Sequence, residues 1–377
     1  MKQNYKKLGE IVKLVDERNK SLVSTEVLGI SIDKEFMPSV ANTIGTDLSN
    51  YKLLKKNRFA CNPMHVGRDE RLPVSLYNKE IPAIVSPAYF MFEIFDSKIV
   101  LPEYLMLNFK RADFDRNCWF RTDGSVRGGI AWDDLCELEL PVPDIKEQQR
   151  IVNTYNTVDR RIRLLKQINE KLEATAQCLF DELNKDKSSF ENKTIQEISK
   201  NVICGKTPST AEKSYWGDEI PFITIPDMHG NNFIHTTERY LSNKGKESQN
   251  AQTIPAKAIC VSCIATVGLV SMTTKTSQTN QQINSIICDD GISPYYIFLS
   301  LKNMTEDLKR LGAGGSTTLN VSKSLFSQIK ILIPVKNKME EFENTVSPLF
   351  EKILNNEKEI EKLLVFKQLI ISRISGM

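Results

Sequence analysis

The chain has 377 residues, of which 41% are hydrophobic and 26% charged, with a formal net charge of +3. That length exceeds one ordinary domain and the balance is that of a globular protein, so two or three domains with real cores are expected. No apolar run reaches the roughly 18 residues that a membrane span needs, and a charge of +3 is by itself no argument for nucleic acid.

From the N-terminus, MKQNYKKLGEIVKLVDERNK is charged throughout and lacks the apolar centre of a signal peptide, which makes the cytoplasm the expected location. Residues 1–143 hold 20 basic and 20 acidic side chains. Strand-like runs such as 81–94 (IPAIVSPAYFMFEI) are broken by proline and asparagine, and a helix is expected over 102–110. A long helical pattern fills 144–188 and ends in the polar linker NKDKSS at 184–189. Residues 189–334 repeat the globular plan with strand-like runs at 220–226 and 258–270 and a helix starting near Pro294. Residues 335–377 carry a second long helix.

The two halves are related. Residues 124–179 recur at 315–370 with a constant offset of 191: Gly124-Ser125 returns as Gly315-Ser316, Leu138 and Leu140 as Ile329 and Ile331, Pro143 as Pro334. After each proline the apolar positions step by four and three, as a heptad stripe does. The first seam is Ile151, Tyr155, Val158, Ile162, Leu165, Asn169, Leu172, Ala176 and Leu179. The second is Phe342, Val346, Leu349, Ile353, Asn356, Ile360, Leu363, Lys367 and Ile370. Each narrow stripe needs a partner, and equal register makes the two helices a matched pair. Asn169 and Asn356 are polar residues in these seams, a placement that lowers stability while penalising wrong registers. The globular halves also open alike, Leu8-Gly9-Glu10-Ile11 against Ile195-Gln196-Glu197-Ile198, but their middles do not align.

Chemistry-bearing motifs are incomplete. Gly205-Lys206-Thr207 looks like the end of a phosphate loop, yet Lys200 stands where its first glycine belongs and Pro208 interrupts the helix that must follow. Asn62-Pro63-Met64-His65 resembles an adenine-methyltransferase tetrad without its second proline and stacking ring, and no Gly-rich cofactor loop precedes it. Cys260-x-x-Cys263 has no second pair, and two alternate-facing thiols in a buried strand account for it better than zinc does. The eight cysteines lie in apolar contexts and read as free thiols. Candidate basic patches comprise Lys52, Lys55, Lys56, Arg58, Arg68 and Arg71 in the first half, and Lys200, Lys206, Lys213, Lys244, Lys246 and Lys275 in the second.

Taken together these segments resemble the specificity subunits of type I restriction-modification systems over essentially the whole chain. The stretch from Leu138 to Val152, a hydrophobic strand, Pro-x-Pro and then Glu147-Gln148-Gln149, is similar to that family's entry into its conserved spacer helix. The second copy, from Pro334 to Phe342, lacks the glutamine pair and the first proline. Gly205-Lys206-Thr207-Pro208-Ser209, Tyr215-Trp216-Gly217, Ile220-Pro221-Phe222-Ile223 and Thr279-Asn280-Gln281 resemble further family patterns in the same order.

The resemblance implies an α+β fold with an internal pseudo-twofold repeat: target-recognition domains at 1–143 and 189–334, and spacer helices at 144–188 and 335–377 pairing antiparallel as a coiled coil. It implies that each recognition domain reads one half of a bipartite site on double-stranded DNA. It further implies that the chain joins two modification (methyltransferase) subunits and restriction subunits, with S-adenosylmethionine, ATP and Mg on those partners and no catalytic residue, cofactor or metal in this chain. For DNA contacts the candidates are Lys206, Thr207, Ser209, Tyr215, Trp216 and Lys275, with Arg68, Arg121 and Arg127, the last two flanking the turn RTDGSVRGG where backbone can approach phosphate closely. Two other classes are weighed: a methyltransferase fused to its own recognition domain, which requires the missing cofactor loop, and a coiled-coil adaptor without a DNA role, which predicts no base-specific binding.

Overall fold

β-branched and aromatic runs punctuated by turn residues make short strands; in each half these assemble into two larger sheets and a two-stranded antiparallel one, Tyr5–Lys7 with Glu139–Pro141 in the first half and Glu191–Thr194 with Lys330–Ile333 in the second. The computed structural model describes residues 5–40, 45–64, 66–122, 128–313 and 319–375. The chain separates into two compact units, residues 1–163 with 361–377, and residues 164–360. Compactness thus places an end of each long helix with each globular half, whereas the sequence segments set the helices apart as stretches of their own.

In the first unit, Val12–Leu14, Phe90–Ile94, Phe59–Cys61 and Val74–Leu76 form an antiparallel sheet in that order. A second sheet runs Phe36–Pro38, Val27–Ile30, Ala83–Val85, Lys52–Leu54, its central pair parallel. The core on the first of these sheets stacks Phe59 on Phe92 at 5.1 Å with Phe109 edge-on, an arrangement that adds to the hydrophobic gain of burying each ring. The helix expected over 102–110 forms as Pro102–Phe109, with the proline at its first turn.

The second unit repeats this frame. Ser199–Cys204, Ile283–Cys288, Ile259–Ser262, Val270–Thr273 and Phe233–Ile234 make a five-stranded sheet, the last strand joined in parallel. A four-stranded sheet runs Trp216–Gly217, Arg239–Leu241, Ile220–Ile223, Gln278–Thr279. Equivalent atoms make equivalent bonds: Leu8 donates its amide to the Leu138 carbonyl at 2.8 Å, and Ile195 to that of Ile329 at 2.9 Å. Likewise the Tyr104 hydroxyl donates to the Pro141 carbonyl at 3.0 Å, and the Tyr296 hydroxyl to that of Leu332 at 2.8 Å. The duplication therefore reaches inward of the aligned ends as far as Tyr104 and Tyr296, while the sheets between differ in strand number.

The long helices are Ile145–Leu183 and Lys336–Ser375. In the first unit Lys367 pairs with Asp159 and its ammonium sits 4.9 Å from the Tyr155 ring, while Ile151, Ile371 and Ile374 share one core. In the second unit Asn356 meets Asn169, and Phe342 lies 6.3 Å from Phe180. Rising numbers on one helix face falling numbers on the other in each unit, so the pairing is antiparallel. Ile151, Tyr155, Val158, Ile162, Leu165, Asn169, Phe342, Val346, Ile353, Asn356 and Ile360 are buried; Leu172, Leu349 and Leu363 are half-buried. Phe180 and Phe350, one residue beyond Leu179 and Leu349, are buried as well, because aromatic rings of the globular part pack on them: Tyr296 on Phe180, and Phe233, Tyr295 and Phe298 on Phe350.

Gln148 of the Glu-Gln-Gln entry is fully buried. Its amide donates to the carbonyls of Ile99 and Pro143, both at 2.8 Å, and its oxygen accepts from Leu101 at 2.9 Å. At the matching place in the second copy stands Met339, also buried, and Ser293 bonds Glu343 instead. The departure of the second copy from the motif thus exchanges one polar clamp for another a turn away.

Candidate nucleic-acid interface

The Gly-Lys-Thr-Pro-Ser loop leaves the strand Ser199–Cys204 and lies against the segment carrying Thr279-Asn280-Gln281. Gly205 donates its amide to the Ile283 carbonyl at 3.0 Å, and Lys206 to that of Thr279 at 2.9 Å. A side chain at Gly205 has no room, since its Cβ would fall 2.2 Å from the Asn280 carbonyl oxygen. Thr207 donates its hydroxyl to Gln281 Oε1 at 2.7 Å. Beneath the loop, buried Gln249 donates to the Lys206 carbonyl at 2.7 Å and to Gln278 Oε1 at 2.8 Å, and Gln278 donates to the Lys246 carbonyl at 3.0 Å. Two glutamines therefore fix the backbones of two lysines relative to each other, a rigid arrangement because buried amides strongly resist losing their partners.

Tyr215 and Trp216 sit beside this loop. The backbones of Tyr215 and of the helix Asn243–Ser248 touch so closely that a Cβ at Gly245 would lie 2.0 Å from the Tyr215 carbonyl oxygen. Lys244 stands 5.7 Å over the Tyr215 ring, and Lys275 stands 5.8 Å over Tyr240. Trp216 donates its indole N–H to the carbonyl of exposed Ser209 at 3.3 Å and packs edge-on to Phe222. One indole face is covered by the Arg239 guanidinium, 3.5 Å from the ring centroid. Trp216 is consequently a packed platform rather than a free stacking ring, and Arg239, Gln249 and Gln278 are neighbours that sequence patterns did not mark.

The two basic patches differ. In the first unit Lys52 is buried and donates to the Tyr89 carbonyl at 2.6 Å, so it belongs to no surface patch. The others face carboxylates: Lys55 and Arg58 on Glu17 at 2.6 and 2.7 Å, Lys56 on Glu80, Arg68 on Asp69 at 2.6 Å, Arg71 on Asp33 at 3.6 Å. In the second unit Lys200 pairs with Asp290 at 2.6 Å. Among the described residues, no carboxylate lies within 4.0 Å of Lys206, Lys213, Lys244, Lys246 or Lys275, and all but the half-buried Lys246 are exposed. Arg121, at the end of the helix Ala112–Phe120, is exposed and makes a long 3.5 Å contact to the Asp134 carbonyl. Arg127, the turn at Gly124-Ser125, its counterpart Gly315-Ser316, and His65 lie outside the described residues.

Cys260 and Cys263 are buried in different cores on opposite sides of their strand, and burial pushes their thiols up to about 12 and about 11. They cannot share one ion without rebuilding the strand. Among the described residues no cluster of three or more potential metal ligands occurs, and no helix is long and apolar enough to cross a membrane.

Residues 2–174 and 187–364 both match the type I restriction modification DNA specificity domain. The type I restriction enzyme HindI specificity subunit of Haemophilus influenzae is 35% identical over 371 residues, spanning 77% of this chain and 80% of that one. The MjaIX specificity subunit of Methanocaldococcus jannaschii is 29% identical over 187 residues, 48% of this chain and 43% of that one. In fold, the type I restriction-modification S subunit from M. genitalium superposes with a TM-score of 0.65 at 16% identity, covering 99% of this chain and 96% of that one.

Proposed function

Because the chain belongs to the type I restriction-modification DNA specificity family, we propose that it is the DNA-reading subunit of such a complex, each globular half reading one half of a bipartite site. The observation that carries this beyond family membership is the second unit's lysine cluster. Lys206 on the loop, Lys246 tied by its carbonyl to the same buried glutamines, and Lys213, Lys244 and Lys275 have no carboxylate within 4.0 Å among the described residues, and the glutamines lock the loop's backbone. Uncompensated lysines on a rigid loop suit phosphates of a duplex, which fix register while other side chains read base edges. Lys206, Thr207, Ser209, Tyr215, Trp216 and Lys275 are assigned to this face, Thr207 and Trp216 chiefly as its supports. Arg68, Arg121 and Arg127 are assigned to the first half.

The paired helices set the separation between half-sites. A helix of 39 residues spans roughly 58 Å at 1.5 Å per residue, more than the roughly 34–36 Å of one DNA turn, which leaves an unread spacer. The chain supplies specificity while two modification subunits supply methyl transfer with S-adenosylmethionine, and restriction subunits supply ATP- and Mg-dependent cleavage. The setting is cytoplasmic.

A segment exchange tests this. Replacing residues 189–334 by the matching segment of a relative, in a strain that carries the partner subunits, and mapping methylated adenines should change one half of the recognised sequence while the other half and the spacer stay fixed. A change in both halves at once would refute modular reading.

A further inference from the structure

The geometry points to Arg239 as a base-reading residue of the second recognition domain, with Trp216 as the residue that positions it. The inference rests on the DNA-recognition reading above and names the group that would confer part of its specificity.

Arginines that serve the fold of this chain spend their donors inside it. Arg58 donates to the Leu53 carbonyl and pairs with Glu17 and Glu93, Arg111 bonds Asn108 and Asp113, and Arg18 bonds the Asn50 carbonyl and Asp16. Arg239 behaves otherwise. It is half-buried, its guanidinium lies 3.5 Å from the Trp216 centroid and 6.0 Å from that of Phe222, and no described residue accepts a hydrogen bond from its side chain. A guanidinium held by its face keeps its N–H edge free, and that edge presents parallel donors in a fixed plane. The support is itself anchored: Trp216 is tied to Ser209 of the Gly-Lys-Thr-Pro-Ser loop at 3.3 Å and braced edge-on by Phe222 at 5.3 Å. The strand of Arg239 pairs directly with that of Trp216, and Tyr240 next to it carries Lys275 over its ring.

A planar fork of unpaired donors beside uncompensated lysines matches the paired O6 and N7 acceptors of guanine in the major groove. A phosphate offers paired acceptors too, but charge alone largely satisfies a phosphate, so lysine can replace arginine there, whereas at guanine the exchange loses the fixed planar fork and its stacking on the indole. The indole explains the difference from the surrounding lysines: it orders the guanidinium before DNA arrives, reducing the entropy lost on contact.

The full chain, co-purified with its modification subunit, is used to select sequences from a library of randomised duplexes, as wild type, R239K, R239A, W216F and W216A. Expected for both R239K and R239A is loss of preference at one G·C position in one half-site, discrimination there falling roughly 10- to 100-fold, with other positions and the melting temperature kept. W216F should retain most of the preference and W216A should lose it at the same position. Uniform weakening with an unchanged sequence, rescued by R239K, would identify a phosphate contact and overturn base reading. An unchanged sequence and affinity with a lowered melting temperature would leave Arg239 a packing residue. If wild type enriches no sequence, the DNA-recognition reading fails and this inference with it.

Discussion

Asn356 donates its side-chain amide to Asn169 Oδ1 at 2.7 Å, and both residues are buried in the seam between the long helices of the second unit. Asn356 Oδ1 finds no partner among the described residues, so the pair satisfies itself incompletely and costs stability for a defined register. Replacing one asparagine by leucine strands the other, which should lower stability by about 1–3 kcal/mol. Replacing both should recover that loss or exceed it. A double-mutant cycle in thermal unfolding measures the coupling; additive effects would show that the contact does not set the register.

The contrast between the two basic patches gives a salt-dependence test. Each lysine that neutralises a phosphate contributes about 0.9 to the slope of log affinity against log salt. Changing Lys206, Lys244 and Lys246 together to glutamine should therefore flatten the slope by nearly 3 in the assembled complex. Changing Lys55, Lys56 and Arg71, each already facing a carboxylate, should leave it nearly unchanged. Equal flattening by both sets would mean that the carboxylates of the first unit release their partners when DNA binds.

The repeat and the helical seams were legible because they are periodic, and periodicity needs no knowledge of three-dimensional neighbours. The helix entry was legible too, but the reason for its glutamine was not: Gln148 acts on Ile99 and Leu101, far away in sequence. Motif reading marked Trp216 without revealing its role, since the residue covering its face, Arg239, sits on another strand with no pattern of its own. Likewise Lys52 looks like any basic residue of its run until the Tyr89 carbonyl is seen to hold it inside. Composition reports charge but not the distance to the nearest counter-charge, and that distance separates the two halves.

His235 Nε2 and Glu357 Oε2 lie 2.9 Å apart, joining a strand end of the second unit to its long helix, with Lys302 and Glu173 facing the same carboxyl. Burial raises the Glu357 carboxyl above its ordinary value of 4.5, while His235 pulls it back. A carboxyl raised in the folded state contributes stability that is complete below 4.5 and lost as pH rises through the raised value. In Glu357→Gln that loss disappears, so the variant should gain on wild type as pH climbs from about 4 and then hold a constant difference. Melting temperatures of both proteins across that range decide it; a difference independent of pH would place the protonation change elsewhere.

The helix pair offers the most direct test of the spacer. Leu165 and Ile360 are the next buried seam positions on one and the same side of the Asn169–Asn356 contact, so insertions after Leu165 and after Asn356 fall within the same interval of the antiparallel pair. One heptad in each keeps the stripe continuous and lengthens both helices by about 10.5 Å. At roughly 34–36 Å per 10 to 10.5 base pairs, that corresponds to about three base pairs. The bases read should stay the same while the unread spacer grows by about three, reduced if the helices run oblique to the DNA axis. Insertions of three residues should instead turn the stripe away from its partner and weaken folding. Mapping methylated adenines in a strain carrying the matched heptad variant supplies the measurement. An active variant with an unchanged spacer would show that the separation of half-sites is set by something other than the paired helices.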